Sequence, residues 1–238
     1  MLNDARHSQA AAAGTRNIDA GLQSYMQSVY HTMGLGLGIT GLTAFATANT
    51  PALMQLIFGT PLMWVVMLAP LAFIFFGFTP ARIAHMNSEK LKLLFIVFSA
   101  VMGLSMAAIF QQFTGASIAR VFFITAATFA ATSLYGYTTK RDLAGVGSFL
   151  FMGMIGIFIA MLVNMFLQSA MVHFVVSVIG VVVFTGLTAW ETQRLRDLYA
   201  EGAQEVNAKT AIMGALGLYL NFINLFQMLL HLMGGRRE

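Results

Sequence analysis

The sequence predicts an all-α integral membrane protein, a seven-transmembrane helix bundle whose seventh helix is enclosed by others. Composition is the first reason. Of 238 residues, 58% are hydrophobic and only 9% charged, and mean hydropathy is +0.76, a balance typical of chains that live in a bilayer. The second reason is seven apolar stretches near the ~20 residues that a helix needs to cross the hydrocarbon core. They fall at 30–49, 62–78, 91–110, 118–137, 146–167, 171–192 and 211–232. The third is the last stretch itself, AIMGALGLYLNFINLFQMLLHL. At about 100° per residue, Asn221, Asn224, Gln227 and His231 share an arc of about 120°, with Gly214 and Gly217 on or beside it. Unpaired polar groups in hydrocarbon cost several kcal/mol each, so this stripe faces protein or water.

The elements follow in order along one domain, 18–238. Before it, 1–17 is polar and Ala-rich, with Arg6 and Arg16 and no apolar segment of the signal-peptide kind. Met1 to Thr15 are expected to be mobile. From Ile18, apolar residues recur at helical intervals through Leu22, Tyr25, Met26 and Val29. This is either an amphipathic lead-in at the interface or the aqueous end of the first helix. Pro51, Pro61 and Pro80 lie at span ends, where a missing donor does least harm, and Pro70 is expected to kink the second span. Short connections favour antiparallel neighbours. Small-residue stripes, Gly34, Gly38 and Gly41 in the first span and Gly153, Gly156 and Ala160 beside Asn164 in the fifth, read as helix-packing faces. The 21 Phe and 17 Met suit adaptable apolar packing.

Basic residues set the orientation. Arg6, Arg16, Arg82, Lys90, Lys92, Lys140, Arg141, Arg194, Arg196 and Lys209 fall on one side, against Arg120, Arg236 and Arg237 on the other. The N-terminus is therefore expected in the cytoplasm and the tail outside. A re-entrant seventh segment would return the tail to the cytoplasm and improve the charge balance; its 22 apolar residues favour a full span.

The sixth span carries the one acidic residue near a membrane region, Glu191. From His173, one helical face runs through Ser177, Gly180, Phe184 and Thr188 to Glu191, about 27 Å away at the opposite end of the span. Two readings stand. Glu191 pairs with Arg194 at i, i+3, as an ordinary interfacial ion pair. Alternatively it turns inward to the Asn221 stripe, which it can meet at similar depth because both spans flank the same loop.

Three segments, 115–154 with SLYGYTTKRDLAGVGSFLFMG, 189–199 with AWETQRLRDLY, and 211–226 with AIMGALGLYLNFINLF, resemble the bacterial branch of the Bax inhibitor-1 family, also called YccA-like or transmembrane Bax inhibitor motif proteins. The likeness covers the chain from about Ile18 onward. It implies seven transmembrane helices with the last enclosed by the other six, a bacterial inner membrane, and a calcium leak channel with pH-dependent gating. It also implies a gate in which two aspartates, one near the end of the sixth helix and one in the seventh, share a proton. The matching residues are Glu191, in WETQ where the family usually has WDTQ, and Asn221, in YLNFINLF where it usually has YLDFINLF. Two carboxylates in contact raise each other's pKa, whereas a Glu–Asn pair holds one titratable group, so the resemblance implies an altered pH response. Asn224 and Thr188 would line the path.

Other classes find little support. There is no HExxH, GxSxG, P-loop or dinucleotide fingerprint, so no enzyme and no cofactor are expected. Cysteine is absent, which excludes disulfides and thiolate metal sites. His31, His85, His173 and His231 are scattered, and each reads as an interfacial anchor rather than a metal ligand. The net charge of +4 reflects orientation and not nucleic-acid binding. One carboxylate and one amide offer Ca²⁺ only a weak, transient site. The expected partners are thus the lipid bilayer and Ca²⁺. The alternative is a non-conducting regulator that binds other membrane proteins, such as a quality-control protease.

Overall fold

A computed structural model describes the backbone of residues 2–236 and the side chains of residues 20–236. The mobile tail expected at 1–17 falls on residues whose side chains lie outside this description. The chain is helical throughout: α1 (Leu2–Ala48), α2 (Pro51–Phe58), α3 (Leu62–Ala72) with a π-helical turn at Phe73–Gly77, α4 (Pro80–His85), α5 (Ser88–Met106), α6 (Ile109–Gln112), α7 (Gly115–Thr138), α8 (Ala144–Leu167), α9 (Ala170–Asp197) and α10 (Gln204–Met233). No strand forms among the described residues. One isolated antiparallel bridge joins Phe113 to Arg236.

Helix starts follow the side chains that can serve orphan N–H groups. Asn87 accepts from the Lys90 N–H, Thr114 from Ser117 and Ser169 from Val172, opening α5, α7 and α9. Pro51 and Pro80 open α2 and α4, where the missing donor is an orphan in any case. Pro70 lies inside α3 and leaves the Val66 carbonyl without its helical donor. The Ser105 hydroxyl of α5 supplies it instead, at 2.7 Å. Pro70 is thus accommodated by a borrowed hydrogen bond and followed by one wide turn at Phe73–Gly77.

Five helices are long and apolar enough to cross a membrane: Ser88–Gln112, α7, α8, α9 and α10. A sixth crossing follows if α2 and the Leu62–Gly77 segment, which meet at 83°, count as one broken span. The separate helix at Pro51–Phe58 is a feature that the sequence pattern missed. α1 runs unbroken through 30–48, but Gly34, Gly36, Gly38 and Gly41 with their threonine neighbours dilute its apolarity. Of the two readings for its lead-in, the extension of the first helix holds. Tyr25, Met26 and Val29 are buried against the bundle, and Tyr25 packs on Tyr199 of the α9–α10 loop at 5.6 Å.

The core centres on α10. Of its most apolar window 72% is buried, against 17–33% for the other four. It packs on α9, α1, α7 and α5. Tyr219, fully buried, lies edge-on to Phe95 and Phe98 of α5. Since the Thr40 hydroxyl donates to the Ser99 carbonyl at 2.9 Å, Tyr219 must donate to Thr40 at 2.7 Å, and these bonds tie α1, α5 and α10 together.

The glycine stripes need correction. A Cβ at Gly34, Gly38 or Gly41 would meet nothing within 4 Å, so that face of α1 is unpacked. Close approach occurs instead at Gly36 against Phe95, Gly103 against Thr40, and Gly136 against the Ala189 backbone. In α8, Gly153 touches Val183, but Gly156 has open space. Periodicity identifies a small-residue face without saying which face meets a partner.

Gly136→Ala should therefore force α7 from α9 and lower stability by about 1–3 kcal/mol. Gly38→Ala should be neutral or slightly stabilising. Thermal unfolding of the two variants in detergent checks the contrast.

Candidate functional site

The site lies where α9 and α10 run antiparallel. Gly214 faces Leu195, Gly217 faces Glu191 and Gly180 faces Met228, a constant register over most of both helices. Each glycine admits a larger side chain from the opposite helix. A Cβ at Gly217 would lie 2.5 Å from a Glu191 carboxylate oxygen. Glu191 therefore turns inward onto α10, half-buried.

The interfacial ion pair with Arg194 does not form. Among the described residues the one ion pair is Arg196–Asp197, and the Arg194 guanidinium sits over the Trp190 ring at 5.5 Å. Asn221 lies one turn beyond Gly217, about 6 Å along the axis. It is buried, its Nδ2 has no hydrogen-bond partner, and no hydrogen bond joins it to Glu191. Thr188 is fully buried and donates to the Phe184 carbonyl at 2.8 Å. Asn224 is half-buried and donates to Leu220 at 2.8 Å. Both groups are thus satisfied on their own helices.

Glu191 is the one carboxylate in this set. With the Thr188 hydroxyl and the Asn221 carbonyl oxygen it falls well short of the six to eight oxygens that Ca²⁺ prefers. Among the described residues no group of three or more His, Cys, Asp or Glu side chains is placed to hold a metal.

Neighbouring residues support the site in ways that the sequence did not disclose. Thr192, beside Glu191, donates to the Thr188 carbonyl at 2.8 Å. Its single proton is then committed, so Ser133 donates to Thr192 at 3.0 Å and Tyr30 donates to Ser133. This hydroxyl chain links α9 to α7 and α1. Tyr30 and Ser133 also line an open cavity of about 670 Å³, walled by Met26, Phe129 and Leu134.

Two residues of the WETQRLRDLY segment lock the adjacent loops. Gln193 accepts from Leu143 N–H at 2.8 Å and donates to the Arg141 carbonyl at 2.7 Å. Arg196 donates to the carbonyls of Tyr137 and Thr139, which end α7. The YGYTTKRDL and WETQRLRDLY segments are therefore partners in space. Gln193→Ala should leave both loop groups unpaired and destabilise by about 1–3 kcal/mol. Hydrogen exchange should rise selectively at 140–144, and unchanged protection there would contradict the lock.

The family model described as "Inhibitor of apoptosis-promoting Bax1" matches residues 22–238. "Inner membrane protein YbhL" of Escherichia coli (strain K12) is 45% identical over 222 residues, covering 92% of this chain and 94% of that protein. "Uncharacterized protein RP147" of Rickettsia prowazekii (strain Madrid E) is 44% identical over 227 residues, covering 94% of each. An uncharacterized protein of Caulobacter vibrioides is 42% identical over 233 residues, covering 93% of this chain and 92% of the relative. On the family match and these near full-length likenesses, the chain belongs to the Bax inhibitor-1 family of membrane proteins.

Proposed function

We propose that this protein is a non-enzymatic cation leak channel, with Ca²⁺ as its ion, in a bacterial inner membrane, and that its gate is the α9–α10 contact at Glu191. Seven spans are proposed: the five long apolar helices, the bent α2–α3 pair and the 30–48 part of α1. The N-terminus is cytoplasmic, and α10 is enclosed by the other six spans. The deep burial of α10 supports the last point. YbhL, described as an inner membrane protein, supports the location.

One observation carries the gate. A half-buried carboxylate without an ion partner lies one turn from a buried amide whose Nδ2 has no acceptor. An orphaned buried donor costs about 1–3 kcal/mol. A small shift of α10 or a rotamer change that joined Asn221 Nδ2 to Glu191 would recover it. The contact therefore favours two arrangements, one paired and one unpaired. In the unpaired arrangement an ionised Glu191 attracts cations toward the hydroxyls of Thr188 and Thr192, with Asn224 further along the path. Protonation of Glu191 removes that attraction.

A second reading is a non-conducting regulator that binds other membrane proteins, such as a membrane protease. The observation favouring it is that Thr188, Thr192 and Asn224 all return hydrogen bonds to their own helices, as dry packing does.

Ca²⁺ flux into dye-loaded liposomes across pH 5 to 8 separates the two. On the channel reading, wild-type protein passes Ca²⁺, Glu191→Gln removes flux or its pH dependence, and Asn221→Asp steepens the pH response by adding a second carboxylate. Folded protein and a folded Asn221→Asp variant that both fail to pass Ca²⁺ would leave the regulator.

A further inference from the structure

We propose that the end of the bundle opposite Glu191 holds a binding site for a phosphate group, built from His173, His231 and Arg236. The site is a cavity of about 440 Å³, and Gln112, Asn164, Gln168 and Ser169 complete its polar lining. Among the described residues no carboxylate lines it.

Four separate parts of the fold converge to make it. The α9–α10 register brings the start of α9 beside the end of α10, so His173 and His231 meet ring to edge at 4.4 Å. Phe113 packs edge-on to His231 at 5.7 Å. Asn164, near the end of α8, uses its carbonyl oxygen to accept from the Ser169 N–H at 3.0 Å, which leaves its amide donors to the cavity. The strap after α10 is pinned. Gly235 N–H donates to the Ser117 hydroxyl at 2.8 Å, and Gly235 accepts from Thr114 N–H at 3.1 Å. The Phe113–Arg236 bridge extends that pairing and brings Arg236 into the lining.

The chemistry of the lining selects an oxyanion. It offers one fixed positive charge, two imidazoles and three primary amides, all able to donate hydrogen bonds. A divalent metal fits poorly, because among the described residues no third His, Cys, Asp or Glu ligand converges on the two rings and the guanidinium repels a cation. Phosphate suits the set because its several acceptor oxygens match the planar fork of Arg236 and the flanking donors. The group arrives either as free inorganic phosphate or as the headgroup phosphate of a lipid, since the cavity lies at a helix-end level of the bundle.

The test uses full-length protein in a phosphate-free maltoside detergent at about pH 7 and low salt. Calorimetric titration with inorganic phosphate forms one arm. Native mass spectrometry of protein released from phosphatidylglycerol nanodiscs forms the other. Arg236→Gln, at an exposed position, should weaken binding by about tenfold or more, and His173→Gln should weaken it too. Lys209→Gln, at the far end, should leave it unchanged. Phosphate affinity lost in Arg236→Gln supports the free ion, and lipid retention lost in Arg236→Gln supports the headgroup. Binding of neither, binding indifferent to Arg236→Gln, or uptake of Zn²⁺ that depends on His173 but not on Arg236 would overturn the proposal.

Discussion

The antiparallel packing of α9 on α10 is the constraint on which the rest of the molecule depends. α10 carries an amide stripe that lipid would leave unpaired, so it must be covered. Its cover is close because glycines on each helix receive large side chains from the other, Gly214 from Leu195 and Gly180 from Met228. The remaining faces of α9 meet their neighbours in the same way. Gly136 of α7 lies on the Ala189 backbone, and Gly147 of α8 lies under Trp190. This register alone decides that Glu191 meets a glycine backbone and that two histidines meet at the other end.

Hydroxyl side chains make such an interior tolerable. Ser99, Thr125, Ser177 and Thr188 each donate to the carbonyl one turn back, so each is satisfied wherever its helix packs. Carboxamides are less easily satisfied. Gln193 solves the problem by spanning a loop with both its groups, and Asn224 by bonding its own helix. Asn221 has neither solution for its Nδ2.

Much of this was legible in the sequence because bilayer physics is written in runs of about 20 apolar residues and in proline positions. The amide stripe identified α10 as the buried helix, and the shared loop placed Glu191 at a depth similar to that of Asn221. What escaped depends on three-dimensional register. The six residues between α9 and α10 set Glu191 against Gly217 and not Asn221, a one-turn offset that no periodicity encodes. Gly36, rather than the more regular Gly34, Gly38 and Gly41, meets Phe95 for the same reason. α2 was hidden because eight residues are too few to display a period, and the bend that isolates it falls at Gly59 and Thr60. Gln193 and Arg196 stood in plain view, but their partners lie 50 or more residues earlier in the chain.

The most buried helix is also the one that follows, in chain order, every helix it packs against. A ribosome therefore delivers α1 through α9 before the centre exists. During that interval Thr40 and Glu191 lack the α10 residues, Tyr219 and Gly217, that they meet in the finished fold. A chain interrupted before Gln204 would lack the segment against which α1, α5, α7 and α9 all pack.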